Sequence, residues 1–343
     1  MTKMMAVALL AVCTSAFAAP GVGPALDRPA VMSRSPEHAV LLAAAEAGSN
    51  WIAVGERGIV IRSGDGGRHW QQAPVPTSVT LTAVRFADDR HGVAVGHGGT
   101  VLVTDDGGRS WTRRLDGRRI AALMMAEAIA RKDEAAQVAA RHLTVDGPDK
   151  PLLDALISGQ GRLLVIGAYG LALASDDGGA TWRSWADRLD NPKGLHLYAI
   201  RCRGERIVIA GEQGLALASE DGGRSFRRLA VPYNGSFFTL ELPGDHEVVL
   251  AGLRGNVWRS GDDGQTWSQL PLPMPASVVA SQVAADGTLM LANQAGFVLA
   301  LKGPAFVPLN REPQAPMTGL AAGRTGGYLA LSVQGVATTS PQP

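Results

Sequence analysis

The sequence predicts an all-β protein, a seven-bladed β-propeller of four-stranded antiparallel blades with a helical insertion between blades 2 and 3. Three observations predict this fold. An eight-residue turn pattern occurs five times, and a glycine that opens a short strand recurs at seven positions. Glycine is also abundant, with 42 in 343 residues, whereas charged residues make up only 18%. Many glycines favour short elements joined by turns over a few long helices.

The turn pattern has the form Ser-x-Asp-x-Gly-x-Thr-Trp with small variations, and we call it the Asp box. It occupies residues 63–70, 104–111, 175–182, 219–226 and 260–267. Serine, threonine and aspartate side chains accept hydrogen bonds from backbone N–H groups in turns, and glycine supplies positive φ. The final aromatic ring suits an apolar core between blades. The sequence therefore gives a structural role to Asp65, Trp70, Asp106, Trp111, Asp177, Trp182, Asp221, Phe226, Asp262 and Trp267.

The recurring glycine marks seven units between residues 37 and 343. The seven positions are Gly58, Gly99, Gly170, Gly214, Gly255, Gly296 and Gly335, with successive spacings of 41, 71, 44, 41, 41 and 39 residues. Each unit holds short β-branched runs bounded by glycine and aspartate, the pattern of four short strands. A unit of about 40 residues cannot bury its apolar faces alone, so the units are expected to close into a ring.

The one long interval contains the predicted helical insertion, residues 118–146. This segment is rich in the helix formers alanine, methionine, glutamate and arginine. Ile120, Leu123, Met124 and Ile129 give it an apolar stripe. Two interpretations remain open. The helices can cap the ring, or they can dock a partner through the adaptable side chains of Met124 and Met125.

The N-terminus predicts an exported protein. Lys3 precedes an apolar run over residues 4–17, and residues 16–18 form a small-x-small cleavage site. Residues 1–18 are therefore predicted to be a signal peptide, with Ala19 as the mature start and a periplasmic or secreted location.

Two expectations concern the rest of the mature chain. Residues 19–36 form a linker, in which Pro29 to Arg34 are expected to supply the fourth strand that the last blade lacks, because an unpaired edge favours aggregation. Cys13 belongs to the signal peptide, which leaves Cys202 alone. A lone cysteine in an oxidising compartment is expected to be buried and inert.

One face of the predicted ring is a candidate binding surface. The insertion joins an outer strand to the next inner strand, so it shares a face with the turns between second and third strands. Those turns carry large polar residues that turn geometry does not require, and loops on rigid scaffolds commonly carry function. The candidate partner-binding residues are Arg57, His97, Met124, Met125, Tyr169, Gln213 and Arg254. A merely solvated rim is the alternative interpretation.

Several classes of function are disfavoured. A net charge of +1 argues against binding of nucleic acid. After the N-terminus the sequence contains no apolar run long enough to predict a membrane span. The histidines lack metal-ligand spacing, so we predict no metal, no cofactor and no catalytic residue.

Arg85, Arg201 and Glu241 lie near the ends of three inner strands, where they can pair between blades or form a sialidase-like substrate clamp.

The pattern Gly-x-x-Gly-x-x-x-x-Ser-x-Asp-Gly-Gly-x-x-Trp at residues 55–70 and 167–182 resembles the photosystem II stability/assembly factor family of BNR-repeat propellers. The resemblance implies a monomeric seven-bladed scaffold, without a cofactor, that binds a membrane protein or envelope complex. It also implies a basic patch, for which Arg57, Arg62, Arg254 and Arg259 are candidates by their place in the repeat. Relatives also occur without photosystems, some of them beside RND-type exporters. A sialidase-like glycoside hydrolase or a carbohydrate-binding propeller is the alternative, although only 5% of residues are aromatic.

Overall fold

The computed structural model describes residues 23–158, 161–324 and 326–339. Within these residues the strands form seven antiparallel sheets that follow one another along the chain. Six sheets have four strands and the last has three. The predicted propeller is therefore confirmed, while the predicted signal peptide lies outside the described residues.

The strands of each blade are numbered from the inner to the outer edge. Blade 1 has β1 (Leu41–Ala47), β2 (Asn50–Gly55), β3 (Val60–Ser63) and β4 (Gln71–Gln72); blade 2 has β5 (Leu81–Phe86), β6 (Gly92–Gly96), β7 (Thr100–Thr104) and β8 (Thr112–Leu115); blade 3 has β9 (Leu152–Ile157), β10 (Leu163–Gly167), β11 (Ala172–Ser175) and β12 (Arg183–Ser184). Blade 4 has β13 (Leu197–Arg203), β14 (Arg206–Gly211), β15 (Ala216–Ser219) and β16 (Arg227–Arg228); blade 5 has β17 (Phe237–Glu241), β18 (Val248–Gly252), β19 (Val257–Ser260) and β20 (Ser268–Gln269). Blade 6 has β21 (Val278–Val283), β22 (Leu289–Asn293), β23 (Val298–Lys302) and β24 (Ala305–Pro308); blade 7 has β25 (Met317–Ala322), β26 (Tyr328–Ser332) and β27 (Gly335–Thr339).

The first strands close the ring. Each of them packs against the first strands of the blades on either side, and β25 of the last blade packs against β1 of the first. At that junction Thr318 Oγ1 donates a hydrogen bond of 2.5 Å to the carbonyl oxygen of Leu41. Residues of both blades share one apolar cluster, which includes Leu41, Trp51 and Leu331. Burial between blades is thus what holds the two ends of the propeller together.

The predicted insertion forms two helices, α1 (Gly117–Ala130) and α2 (Glu134–Asp146). Asp116 caps α1 by accepting hydrogen bonds from the backbone N–H groups of the next turn, and Asp133 caps α2 in the same way. Ile120 is buried and Met124 packs against the core between blades 2 and 3. Ile129, in contrast, is 58% exposed and does not belong to the packed stripe.

The N-terminal segment does not complete blade 7 as expected. In the described residues the sheet of blade 7 has three strands, and Pro29 to Arg34 run along blade 1 instead. The backbone N–H of Ala30 donates to the carbonyl oxygen of Val75 at 3.0 Å, and that of Ser33 donates to Oε1 of Gln72 at 2.8 Å.

Contacts just before this segment explain its position. Leu26 is 4% exposed, so its side chain lies in the apolar interior. The carboxylate of Asp27 accepts two hydrogen bonds from Arg118, at 3.0 and 2.7 Å. These contacts tie the segment to the start of α1 and direct the following residues past blade 1 rather than towards blade 7.

Candidate protein-interaction face

The Asp boxes form tight turns between the third and fourth strands. In blade 3, Ser175 Oγ accepts a hydrogen bond from Gly179 N at 2.8 Å, and Asp177 Oδ1 accepts one from Thr181 N at 2.9 Å. The other four boxes repeat the serine or threonine contact to the glycine N–H at 2.8–3.0 Å. Hydrogen bonds from the Thr181 hydroxyl, then from its backbone N–H, lower the pKa of Asp177 to about 2. Each box aspartate therefore holds its turn as a carboxylate.

The aromatic residue that ends each box packs against the preceding blade. Trp182, for example, joins the core between blades 2 and 3, and its Nε1 donates to the carbonyl oxygen of Gly179 at 3.0 Å. The equivalent rings at the other blade junctions are those of Trp70, Trp111, Phe226 and Trp267. Through these contacts, each Asp box joins its blade to the preceding one.

The turns between second and third strands lie on the opposite face, and in four of the seven blades they have an unusual backbone. Arg57, Tyr169, Gln213 and Arg254 occupy equivalent positions there, with φ between 53° and 57°, and all four are exposed. An L-residue in this left-handed region costs about 1–2 kcal/mol relative to the right-handed one. Glycine would avoid most of that cost, so these positions present side chains at the expense of stability.

Blades 2, 6 and 7 have no non-glycine residue with positive φ in this turn, and the structural reason is visible in blade 2. Its equivalent residue is Gly98, which is buried, and a Cβ there would lie 3.2 Å from the carbonyl oxygen of Pro148. The segment after α2 covers this turn, so a side chain here would have to displace that segment slightly. His97 precedes it and is exposed, so it sits beside the helices on the same face.

We expect glycine to stabilise the four left-handed turns. Arg254→Gly should raise the free energy of unfolding by up to about 1 kcal/mol, because the relief of left-handed strain exceeds the added entropy of the unfolded chain. Denaturant unfolding of purified protein measures this. Arg68→Gly, at an exposed position outside the left-handed region, should instead lower the free energy of unfolding. Equal losses for both variants would contradict the strain argument.

The two candidate methionines and the four candidate arginines are not gathered in one place. Met124 packs from α1 against the core between blades 2 and 3, and Met125 is half-buried. Arg62 Nη2 donates to Oδ1 of Asn50, the first residue of β2, at 2.8 Å. Arg259 pairs with Glu247 at 2.6 Å, just before β18. Arg62 and Arg259 therefore point away from the face that carries Arg57 and Arg254, and the basic patch implied by the resemblance is not assembled from these four.

A buried ionic network crosses the inner strands of four blades. Asp154 accepts Arg85 Nη2 and Arg201 Nη1, each at 2.7 Å, and Arg201 Nε lies 3.5 Å from Oε1 of Glu241. Burial raises the pKa of Glu241, and this effect exceeds the lowering of that pKa by the positive charge of Arg201. Burial also lowers the pKa of Arg201, but the charges of Asp154 and Glu241 outweigh it and raise that pKa overall. The pairing between blades suggested for Arg201 and Glu241 is present.

Sequence reasoning missed two sets of residues. Asp154 stands inside the apolar run of β9 and is the acidic centre of the network. Tyr198 and Phe238 are the second residues of β13 and β17, and their rings lie 5.4 Å apart. A comparison of the seven inner strands in register would have exposed both, since a polar or aromatic residue stands out there against small aliphatic ones.

The described residues also limit the possible chemistry. No three His, Cys, Asp or Glu side chains among them are grouped to bind a metal, and none of the described helices has the length and apolarity to cross a membrane.

Cys202 is exposed at one mouth of the central channel, contrary to expectation. Its inner strand runs past the core into that mouth, where the neighbouring strand ends partly desolvate the thiol and raise its pKa although the residue is exposed.

The family model described as "Photosynthesis system II assembly factor YCF48" matches residues 66–128 and 133–336. The chain belongs to this family. Family membership covers most of the propeller and both helices, and it agrees with the resemblance of the repeat. No curated protein matches the chain in sequence.

Solved structures with low identity share the family's fold. YCF48 from Cyanidioschyzon merolae aligns with a TM-score of 0.65 at 13% identity, over 88% of this chain and 95% of that one. The WD40 propeller domain of Doa1 aligns at 0.66 and 10% identity, over 93% and 97%. The GH74 xyloglucanase of Xanthomonas campestris aligns at 0.61 and 14% identity, over 87% and 52%. A structure described as YCF48 bound to D1 peptide aligns at 0.46 and 16% identity, over 55% of this chain and 66% of that one.

Proposed function

We propose that this chain is an exported, non-enzymatic scaffold that binds a membrane protein or an envelope complex. The binding surface is the face that carries α1, α2 and the left-handed turns. The observation behind this proposal is the presence of four exposed side chains, at Arg57, Tyr169, Gln213 and Arg254, in turns where glycine would cost less. Backbone strain that is retained at exposed positions of one face is typical of a recognition surface.

Family membership supports the assembly or accessory role, since the family model is named for an assembly factor of photosystem II. An RND-type exporter is one membrane complex that fits the proposed periplasmic location. The channel favours a scaffold over a hydrolase, because the carboxylates of Asp154 and Glu241 are both engaged by Arg201. Glycosidases need two carboxyl groups free to act on the substrate. We also propose that the mature chain, from Ala19, is a monomer.

Affinity capture from a detergent-solubilised envelope tests the proposal. We expect Arg57→Glu combined with Arg254→Glu to reduce recovery of the partner about tenfold or more, because two exposed cations of the face are reversed. The matched control is Arg68→Glu combined with Arg224→Glu, an identical charge change in exposed residues of two Asp boxes on the opposite face. Equal recovery with both double variants would contradict the assignment of the face.

A further inference from the structure

Blade 7 has an open edge on the rim of the propeller. Its outermost described strand is β27, whereas in each of the other six blades a fourth strand pairs with the third. Pro36–His38 packs against β27 but adds no strand to it. Among the described residues, the outer side of β27 therefore has no strand partner for its backbone groups. An edge of this kind is a template for a further strand.

The other blades show what occupies this position. In blades 1, 3, 4 and 5 the fourth strand is only two residues long. The backbone N–H of the residue that follows it donates to a carbonyl oxygen of the third strand at 2.8–2.9 Å. The donor and acceptor residues are Ala73 and Val60, Trp185 and Ala172, Leu229 and Ala216, and Leu270 and Val257. The occupant of the position is thus held through its main chain.

Apolar side chains also hold the occupant at the junction with the next blade. In blades 1, 4 and 5 two apolar residues, one residue apart, follow the fourth strand and pack in the core between that blade and the following one. The pairs are Ala73 and Val75, Leu229 and Val231, and Leu270 and Leu272. Three blades therefore share one pattern of two polar residues, an apolar residue, any residue and a second apolar residue.

The residues before β1 do not supply this pattern to blade 7. In blades 1, 4 and 5 the two apolar residues stand eight and six positions before the first strand of the next blade. The same count before β1 gives Ser33 and Ser35, which are polar and exposed. Among the described residues that precede β1, Ala39 alone packs against the core between blades 7 and 1. The junction thus lacks the two apolar side chains, as the edge lacks the strand.

The register of β27 suits a short added strand. Val336 lies opposite Leu331, as Val257 lies opposite Ala251 in blade 5, so Val336 takes the place of the residue whose carbonyl accepts the main-chain bond. Val336 is also half-buried against the core between blades 7 and 1. A bulge separates it from Thr338. Bulges oppose extended pairing at an edge, which agrees with a fourth strand of about two residues.

We infer that the open edge of blade 7 binds a short extended segment of a partner protein as a fourth strand, and that this segment carries the pattern of two polar residues, an apolar residue, any residue and a second apolar residue. Main-chain hydrogen bonds to β27 supply the affinity and the two apolar side chains the specificity, the usual division in strand addition. The site lies on the rim of blade 7, so the inference goes beyond the proposed function and does not depend on it.

Fluorescence anisotropy with the mature chain and dye-labelled Ser-Gln-Leu-Pro-Leu, the sequence of residues 268–272, tests the inference. A second probe has serine in place of both leucines, and a third has a methyl group on the backbone nitrogen of the first leucine. We expect both to bind about tenfold more weakly, because one loses the buried apolar side chains and the other a main-chain hydrogen bond. A methyl group on the backbone nitrogen of the glutamine is the matched control. That N–H points away from the third strand, so the control should bind like the parent probe.

Hydrogen exchange locates the bound probe. A saturating concentration of the parent probe should slow exchange of the amides in residues 335–339 by about tenfold, because the added strand covers the edge. The amides of β19 should exchange at an unchanged rate, since that strand already pairs with a fourth strand.

Equal binding of the parent probe and either of the two weakened probes would overturn the inference. Slower exchange in β19 and not in β27 would also overturn it, because the probe would then replace the fourth strand of blade 5. If no probe binds and β27 alone already exchanges as slowly as β19, residues of this chain outside the described ranges cover the edge, and the inference is wrong. Dimers in sedimentation that protect β27 and compete with the probe would overturn it in favour of a second copy of the chain.

Discussion

Asp154→Ala should lower the free energy of unfolding by about 3 kcal/mol, because it leaves Arg85 without a paired carboxylate and leaves Arg201 with only the more distant carboxylate of Glu241. Asp154 is 3% exposed and accepts four hydrogen bonds, from the guanidinium groups of Arg85 and Arg201 and from the backbone N–H groups of Ala155 and Ile200. Alanine satisfies none of these donors. Removal of one partner of a buried network costs more than the net value of the pair, since the remaining charges stay desolvated.

Denaturant unfolding followed by intrinsic tryptophan fluorescence measures this loss. Asp187→Ala is the matched control, because Asp187 also pairs with an arginine, Arg131 at 3.4 Å, but at the surface. Surface pairs contribute about 0–1 kcal/mol, so the control should be close to the unsubstituted protein. If Asp154→Ala costs no more than the control, Arg85 and Arg201 must be able to turn into channel water, and the network is not a determinant of stability.

The propeller was predictable because short, contiguous stretches of sequence determine its repeating turns. Each Asp box contains its own donors and acceptors within eight residues, as the contacts of Ser175, Asp177 and Gly179 show. The glycine that opens each third strand is likewise read without knowledge of distant residues. Features with this local origin repeat in the sequence as often as they repeat in the fold.

Features that depend on distant partners were not predictable in this way. Pro29 to Arg34 have the composition of an edge strand, but their position follows from Leu26 and from the pair of Asp27 with Arg118, which is 91 residues away. Asp154 similarly takes its role from Arg201, 47 residues further along the chain. The left-handed turns fall between these cases, since Gly98 occupies the equivalent position in blade 2 and hints at positive φ in the others.

Acid should unfold this propeller through its Asp boxes. Asp177 and Asp262 have pKa values of about 2, and hydrogen bonds also hold the pKa values of Asp65, Asp106 and Asp221 below the ordinary value. In the unfolded chain these carboxyl groups titrate near a pKa of about 3.9. A carboxylate with a lowered folded-state pKa contributes stability above its unfolded pKa and loses it as the pH falls through the folded value. We therefore expect the free energy of unfolding to fall steeply between about pH 5 and pH 2, because several boxes titrate over the same range.

Asp177→Asn separates this effect from general acid denaturation. Asparagine keeps one acceptor oxygen but carries no charge, so the variant should be less stable than the unsubstituted protein at neutral pH. Below about pH 2 the aspartate is itself protonated, and the two proteins should converge. Denaturant midpoints measured across this range give the difference directly. Val257→Ala removes buried apolar contacts without changing a titratable group, so its deficit should stay constant with pH. A deficit of Asp177→Asn that also stays constant would mean that the box depends on the shape of the aspartate and not on its charge.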